Sequence, residues 1–231
     1  MPAVYEIPAA SRPGARLWEL DALRGAAVVA MVFYHGMWDL SFAGVYRGSL
    51  DAIGWVLFAR SIALTFVVLV GVSMTLRQAR TPRGVPARGW LERGVKVLAW
   101  GMVLSLVTWP IFGSAFIAYG VLHFIGTALL LAPLILRYRR YALPAAAVLF
   151  ALDPLMDRYH PDTLWFLPLG LYPTTYRTID YFPLVPWLGF VLLGVWAGPK
   201  YLAARERLAS WPDQAPRWLN PLVFLGRHAL L

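Results

Sequence analysis

One stretch concentrates the residues that could do chemistry. RGAAVVAMVFYHGMWD, residues 24–39, is apolar enough to enter a bilayer, yet it carries Arg24, His35 and Asp39. A neutral imidazole can take a proton near neutral pH, and a carboxylate one helical turn away can fix which ring nitrogen holds the hydrogen. An arginine is a natural partner for phosphate. On a helix turning about 100° per residue from Asp21, Arg24 falls at about −60°, His35 at about −40° and Asp39 at about 0°, so the four groups share an arc of about 60°. A charge facing lipid costs about 2.5–3.5 kcal/mol on insertion scales, so this stripe is expected to face protein or a water-filled cavity. Arg24 and His35 are separated by about 16 Å along the axis.

Other helices should add polar groups at a similar depth. A second helix starting at Ile53 puts Arg60 about 10 Å inside its outer end, and a fourth starting at Ala115 puts His123 about 12 Å in. Asp180 and Tyr181 are expected to open the sixth helix just above this layer, as substrate-binding candidates. Each residue also has a plainer reading. His123 can hydrogen-bond a neighbouring helix, Arg60 can pair with Asp39 or Asp180, and Arg24 can reach the headgroups along its own stem. Asp21 suits a first helical turn on dipole grounds alone. His160 falls in a loop and is expected to be solvated, while the role of His228 stays open. Two histidines with Asp39 and Asp180 do not have a diagnostic ligand spacing, and no metal is expected.

These side chains need long apolar helices to hold them, and the composition supplies them. The chain has 231 residues, of which 59% are hydrophobic and 14% charged, with a mean hydropathy of +0.59. Soluble domains are about a quarter charged, so an all-α polytopic transmembrane bundle is expected, with six full helices and a partial seventh. Spans are expected at about 22–44, 53–76, 94–112, 115–136, 142–156 and 181–199, with a further helix from 219. The connection 77–93 reads as a solvated basic loop, and 157–180 as a long outward loop rich in Pro and Tyr. Residues 1–18 read as a cytoplasmic N-terminal segment and 19–231 as a single transmembrane domain.

The net charge of +9 is distributed by side. Fifteen Lys and Arg residues fall in alternate connections and the termini that share their side, such as Arg77, Arg93, Lys96, Arg137 and Arg205; the opposite side has only Arg47, Arg158 and Arg177. That asymmetry places the N-terminus in the cytoplasm and argues against nucleic acid as the partner; the expected location is a bacterial-type inner membrane. There is no cysteine, hence no disulfide framework and no thiolate nucleophile. No Walker loop, GxGxxG, HExxH or GxSxG occurs, and GVSMT at 71–75 is not a nucleophile elbow.

RLWELDALRGAAVVAMVFYHGMWDL resembles the opening helix of the heparan-α-glucosaminide N-acetyltransferase catalytic-domain-like family. ARSIALTFVVLVGVSMTL, YGVLHFIGTALLLAP, DYFPLVPWLGFVLLGVWAG and FLGRHALL follow in the family's order, over residues 16 to 231. The Arg24–His35 spacing also resembles the R-x10-H signature of the type-3 membrane acyltransferases, and Arg93-Gly-Val-Lys96 approximates their paired basic residues. The resemblance implies transfer of an acyl group, usually acetyl, from cytoplasmic acyl-CoA to a glycan or lipid-linked sugar at the outer face. With it, His35 oriented by Asp39 becomes the expected general base or transiently acylated residue. Arg24, Arg93 and Lys96 become the expected contacts to CoA, and His123 or Arg60 a stabiliser of the oxyanion. Membrane lipids and a second copy of the chain are further expected partners. A proton-coupled transporter or flippase using the same His and Asp residues is the competing class, and a scaffold subunit binding a partner helix is a third.

Overall fold

The computed structural model describes residues 17–81, 83–207, 212 and 214–229, so the N-terminal segment 1–16 lies outside the described residues. The described residues form helices and turns, with no strand among them. In chain order the helices are α1 (Trp18–Phe42), α2 (Ile53–Arg80), α3 (Ala87–Phe112), α4 (Val121–Leu130), α5 (Ala132–Arg137), α6 (Ala142–Met156), α7 (Leu184–Arg207) and α8 (Asn220–His228). Three segments are long and apolar enough to cross a bilayer: Ile53–Arg80, Ala87–Ala115 and Leu184–Arg205. Large apolar side chains stand exposed along α3, among them Trp100, Leu106, Trp109 and Ile111 at 62–67%. Apolar surface of that extent marks contact with lipid or partner protein rather than water.

The chain divides into two compact units, residues 70–202 and residues 17–69 with 203–229. In the second, α8 packs along the beginning of α1 at a pair of glycines. A Cβ on Gly25 would overlap the Leu222 carbonyl oxygen, and one on Gly226 would overlap that of Asp21. Small residues permit this backbone approach, which larger side chains would prevent. Beyond it, Phe33 and Tyr34 of α1 pack their rings against Trp55 and Phe58 of α2. In the 70–202 unit, α3 and α4 meet through Gly101 and Gly126: a Cβ on Gly126 would lie 2.7 Å from the Leu98 backbone nitrogen, and one on Gly101 would lie 3.0 Å from the His123 ring.

Three expected boundaries move. The helix expected at 115–136 is interrupted: Gly113 takes φ +55°, Phe116 is extended, and regular helix begins only at Val121. The connection 77–93 is mostly helical, because α2 continues to Arg80 and α3 begins at Ala87 behind Pro86, leaving only the turn between them. Arginine is a good helix former, so basic residues continue an apolar helix out of the hydrocarbon without a break. The sixth span begins at Leu184, which leaves Asp180 and Tyr181 in the preceding loop.

Candidate functional site

The α1 stripe is an unbroken helix, so the expected Arg24–His35 spacing of about 16 Å holds. His35 Nδ1 lies 2.9 Å from the Met31 carbonyl oxygen. A carbonyl only accepts, so Nδ1–H donates, and Nε2 of the neutral ring keeps its lone pair. Nε2 has no hydrogen bond among the described residues, and the side chain is exposed. Met31 therefore fixes the tautomer that Asp39 was expected to fix. Asp39 is also exposed, and no hydrogen bond or ion pair joins it to His35 among the described residues. His160 and His228 are tethered in the same way, to the Tyr172 and Phe224 carbonyls, but neither lies inside a long apolar helix.

At the other end of the stripe, Arg24 and Asp21 are largely buried, at 13% and 14% exposed. Arg24 Nη1 lies 3.1 Å from Asp21 Oδ1 and donates to the Gly226 carbonyl at 3.3 Å, which ties α1 to α8. Arg227 approaches the other Asp21 oxygen at 3.7 Å and is 45% exposed. Glu19 pairs with Arg205 at 2.8 Å. Two arginines thus approach one carboxylate. Arg60 is exposed on α2 and forms no ion pair among the described residues.

In the 70–202 unit His123 is buried, 3% exposed, at the start of α4. The Gly120 amide donates to its Nδ1 at 3.3 Å. Its Nε2 lies 3.2 Å from Ser105 Oγ, whose own hydrogen goes to the Ile117 carbonyl. The network assigns a neutral ring with hydrogen on Nε2 and both nitrogens engaged. His123 thereby holds the segment between α3 and α4, aided by Thr108, which accepts from the Ile117 amide at 3.1 Å. Asp180 completes that junction: its carboxylate accepts from the Val121 amide at 2.9 Å, at the positive end of α4. Thr178 donates to the Phe116 carbonyl and the Phe182 amide to that of Tyr119, so the loop between α6 and α7 is laced to the turn before α4. Tyr181 donates to the Leu167 carbonyl at 2.9 Å and packs edge-on against Tyr172 and Tyr176. Burial, and then the neighbouring Tyr176, push its phenol well above the ordinary range, so it stays a donor. Arg93 is half-buried and Lys96 exposed on α3.

Four participants were not among the expected site residues: the Met31 carbonyl, Ser105, Arg227, and Arg77 stacked on Trp90. Residue spacing could have shown only the first, since an exposed helical histidine lies opposite its own i−4 carbonyl. Among the described residues no cluster of three His, Asp or Glu side chains could hold a metal.

Apolar spans long enough to cross a bilayer define a membrane protein. A family model described as heparan-alpha-glucosaminide N-acetyltransferase, catalytic, matches residues 16–231, and the chain belongs to that family. The family is one of membrane acetyltransferases. No curated protein and no solved structure matches the chain.

Proposed function

We propose that the protein transfers an acetyl group from acetyl-CoA on the cytoplasmic side to an amine or hydroxyl of a glycan or lipid-linked sugar at the outer face. The family match across 16–231 carries this reading, and α1 supplies a geometry that supports it. His35 Nε2 takes a proton from the acceptor as the acceptor's nitrogen or oxygen attacks the acyl carbon. The acyl–sulfur bond breaks, and the proton held on the imidazole passes to the leaving thiolate. Nε2 is suited to this because Met31 already binds the Nδ1 hydrogen. Asp39 lies one turn further along the same helix.

The donor's phosphates would be met at the Arg24–Arg227 end of α1, where two guanidinium groups converge. The distance from there to His35, about 16 Å, is of the same order as a pantetheine arm. Arg93 and Lys96 would add long-range attraction for the donor. We assign His123 and Asp180 to positioning the start of α4, and Tyr181 to the outward loop that faces the acceptor. The test is turnover of labelled acetyl-CoA by purified protein supplied with an extract of membrane glycans and lipid-linked sugars. Acetylated product from the wild type, and its loss in His35→Ala, is the expected result. Transport of such a sugar lipid in the absence of acyl-CoA would favour the flippase reading instead.

A further inference from the structure

The turn between α2 and α3 borders a cavity of about 320 Å³, lined by Gln78, Val85, Trp90, Pro133, Leu136 and Arg137. Cavities from about 300 Å³ upward accommodate small ligands. Its walls come from the ends of α2, α3 and α5, where the basic residues cluster. Trp90 is only 2% exposed and carries the Arg77 guanidinium over its ring, 5.0 Å from the centroid. One terminal nitrogen of Arg77, Nη1, is sealed from solvent without a hydrogen-bond partner among the described residues. Neither Arg77 nor Arg137 has a salt bridge among the described residues. The rim is set by Gln78, whose Oε1 accepts from the Val85 amide at 3.0 Å, and by Gly84 at φ +71°, which leaves room for the Gln78 amide nitrogen.

We propose that this cavity binds an anionic phosphate group. Arg137 in the lining would be its counter-charge, the Gln78 amide a further donor, and Arg77, held against the Trp90 wall, a second positive charge beside the cavity. Arginine is the fitting residue, since its planar fork matches phosphate oxygens. Apolar walls from Val85, Pro133 and Leu136 leave space for the group esterified to the phosphate. That group belongs either to a phospholipid headgroup or to a soluble nucleotide, and the same two arginines serve both. The site does not depend on acetyl transfer: a protein without turnover can still bind the phosphate.

The experiment is thermal unfolding of the purified full chain in a neutral detergent, titrated separately with short-chain phosphatidylglycerol and with ADP. Variants Arg77→Gln, Arg137→Gln and the double substitution run in parallel. At least one of the two probes should raise the wild-type melting temperature, with apparent affinity at least about tenfold weaker in the double variant. A shift with phosphatidylglycerol alone assigns a lipid, and one with ADP alone assigns a nucleotide. No shift with either probe overturns the proposal, as does equal affinity in wild type and Arg137→Gln, an exposed substitution that leaves the buried stack intact.

Discussion

At the scale of single residues, the arrangement turns on which atom holds each histidine's hydrogen. His35 and His123 use Nδ1 in opposite ways, as donor and as acceptor. In His35 the i−4 carbonyl takes the Nδ1 hydrogen and leaves Nε2 as a lone pair; in His123 a backbone amide occupies Nδ1 and Ser105 receives the Nε2 hydrogen. Only the first is ready to accept a proton without breaking a bond. His35→Ala should therefore lower acetyl transfer by about 100-fold or more, the range ascribed to general-base catalysis, while the melting temperature stays near that of the wild type because the side chain is exposed. Asp39→Asn should cost about threefold at most, the effect of an exposed charge one turn away, and kcat measurements on the two variants separate these roles. Residue types and spacing revealed His35 and His123 as candidates. They could not distinguish them, because Ser105 and Gly120 reach His123 from outside its own helix.

At the scale of elements, the junction before α4 shows where local sequence stops being sufficient. Apolar composition runs through 115–136 without a charge, and read locally it is one helix. Its first part instead hydrogen-bonds to Ser105 and Thr108 of α3 and to Thr178 of the loop between α6 and α7, partners on other elements. Those bonds satisfy backbone groups that a helix would otherwise have to pair internally. Asp180 then caps the shortened helix from a distance. Asp180→Ala should remove that acceptor and destabilise the protein by about 1 kcal/mol, as loss of a helix cap does. Gly126→Leu should cost more, about 1–3 kcal/mol, by forcing α3 and α4 apart. Thermal melts in detergent should rank the two variants in that order.

At the scale of the molecule, the membrane character was legible throughout, since it depends on summed composition rather than on any one contact. The helix positions followed the apolar runs, but their ends did not, because arginines at 77, 80, 88 and 93 extend helices that hydropathy alone would stop. The proposed orientation rests on the same basic residues. With no native cysteine, single substitutions can report it cleanly. Ser49→Cys should react from outside intact cells with a membrane-impermeant maleimide, and Arg83→Cys only after lysis; the reverse pattern would invert the proposed direction of transfer.

The most direct measurement is release of CoA from labelled acetyl-CoA by the purified wild-type protein and by His35→Ala, each shown to be folded by its melting temperature. Acceptor-dependent release by the wild type, reduced at least about 100-fold in the variant, is the predicted result. Equal release by both proteins would remove the imidazole of α1 from the chemistry.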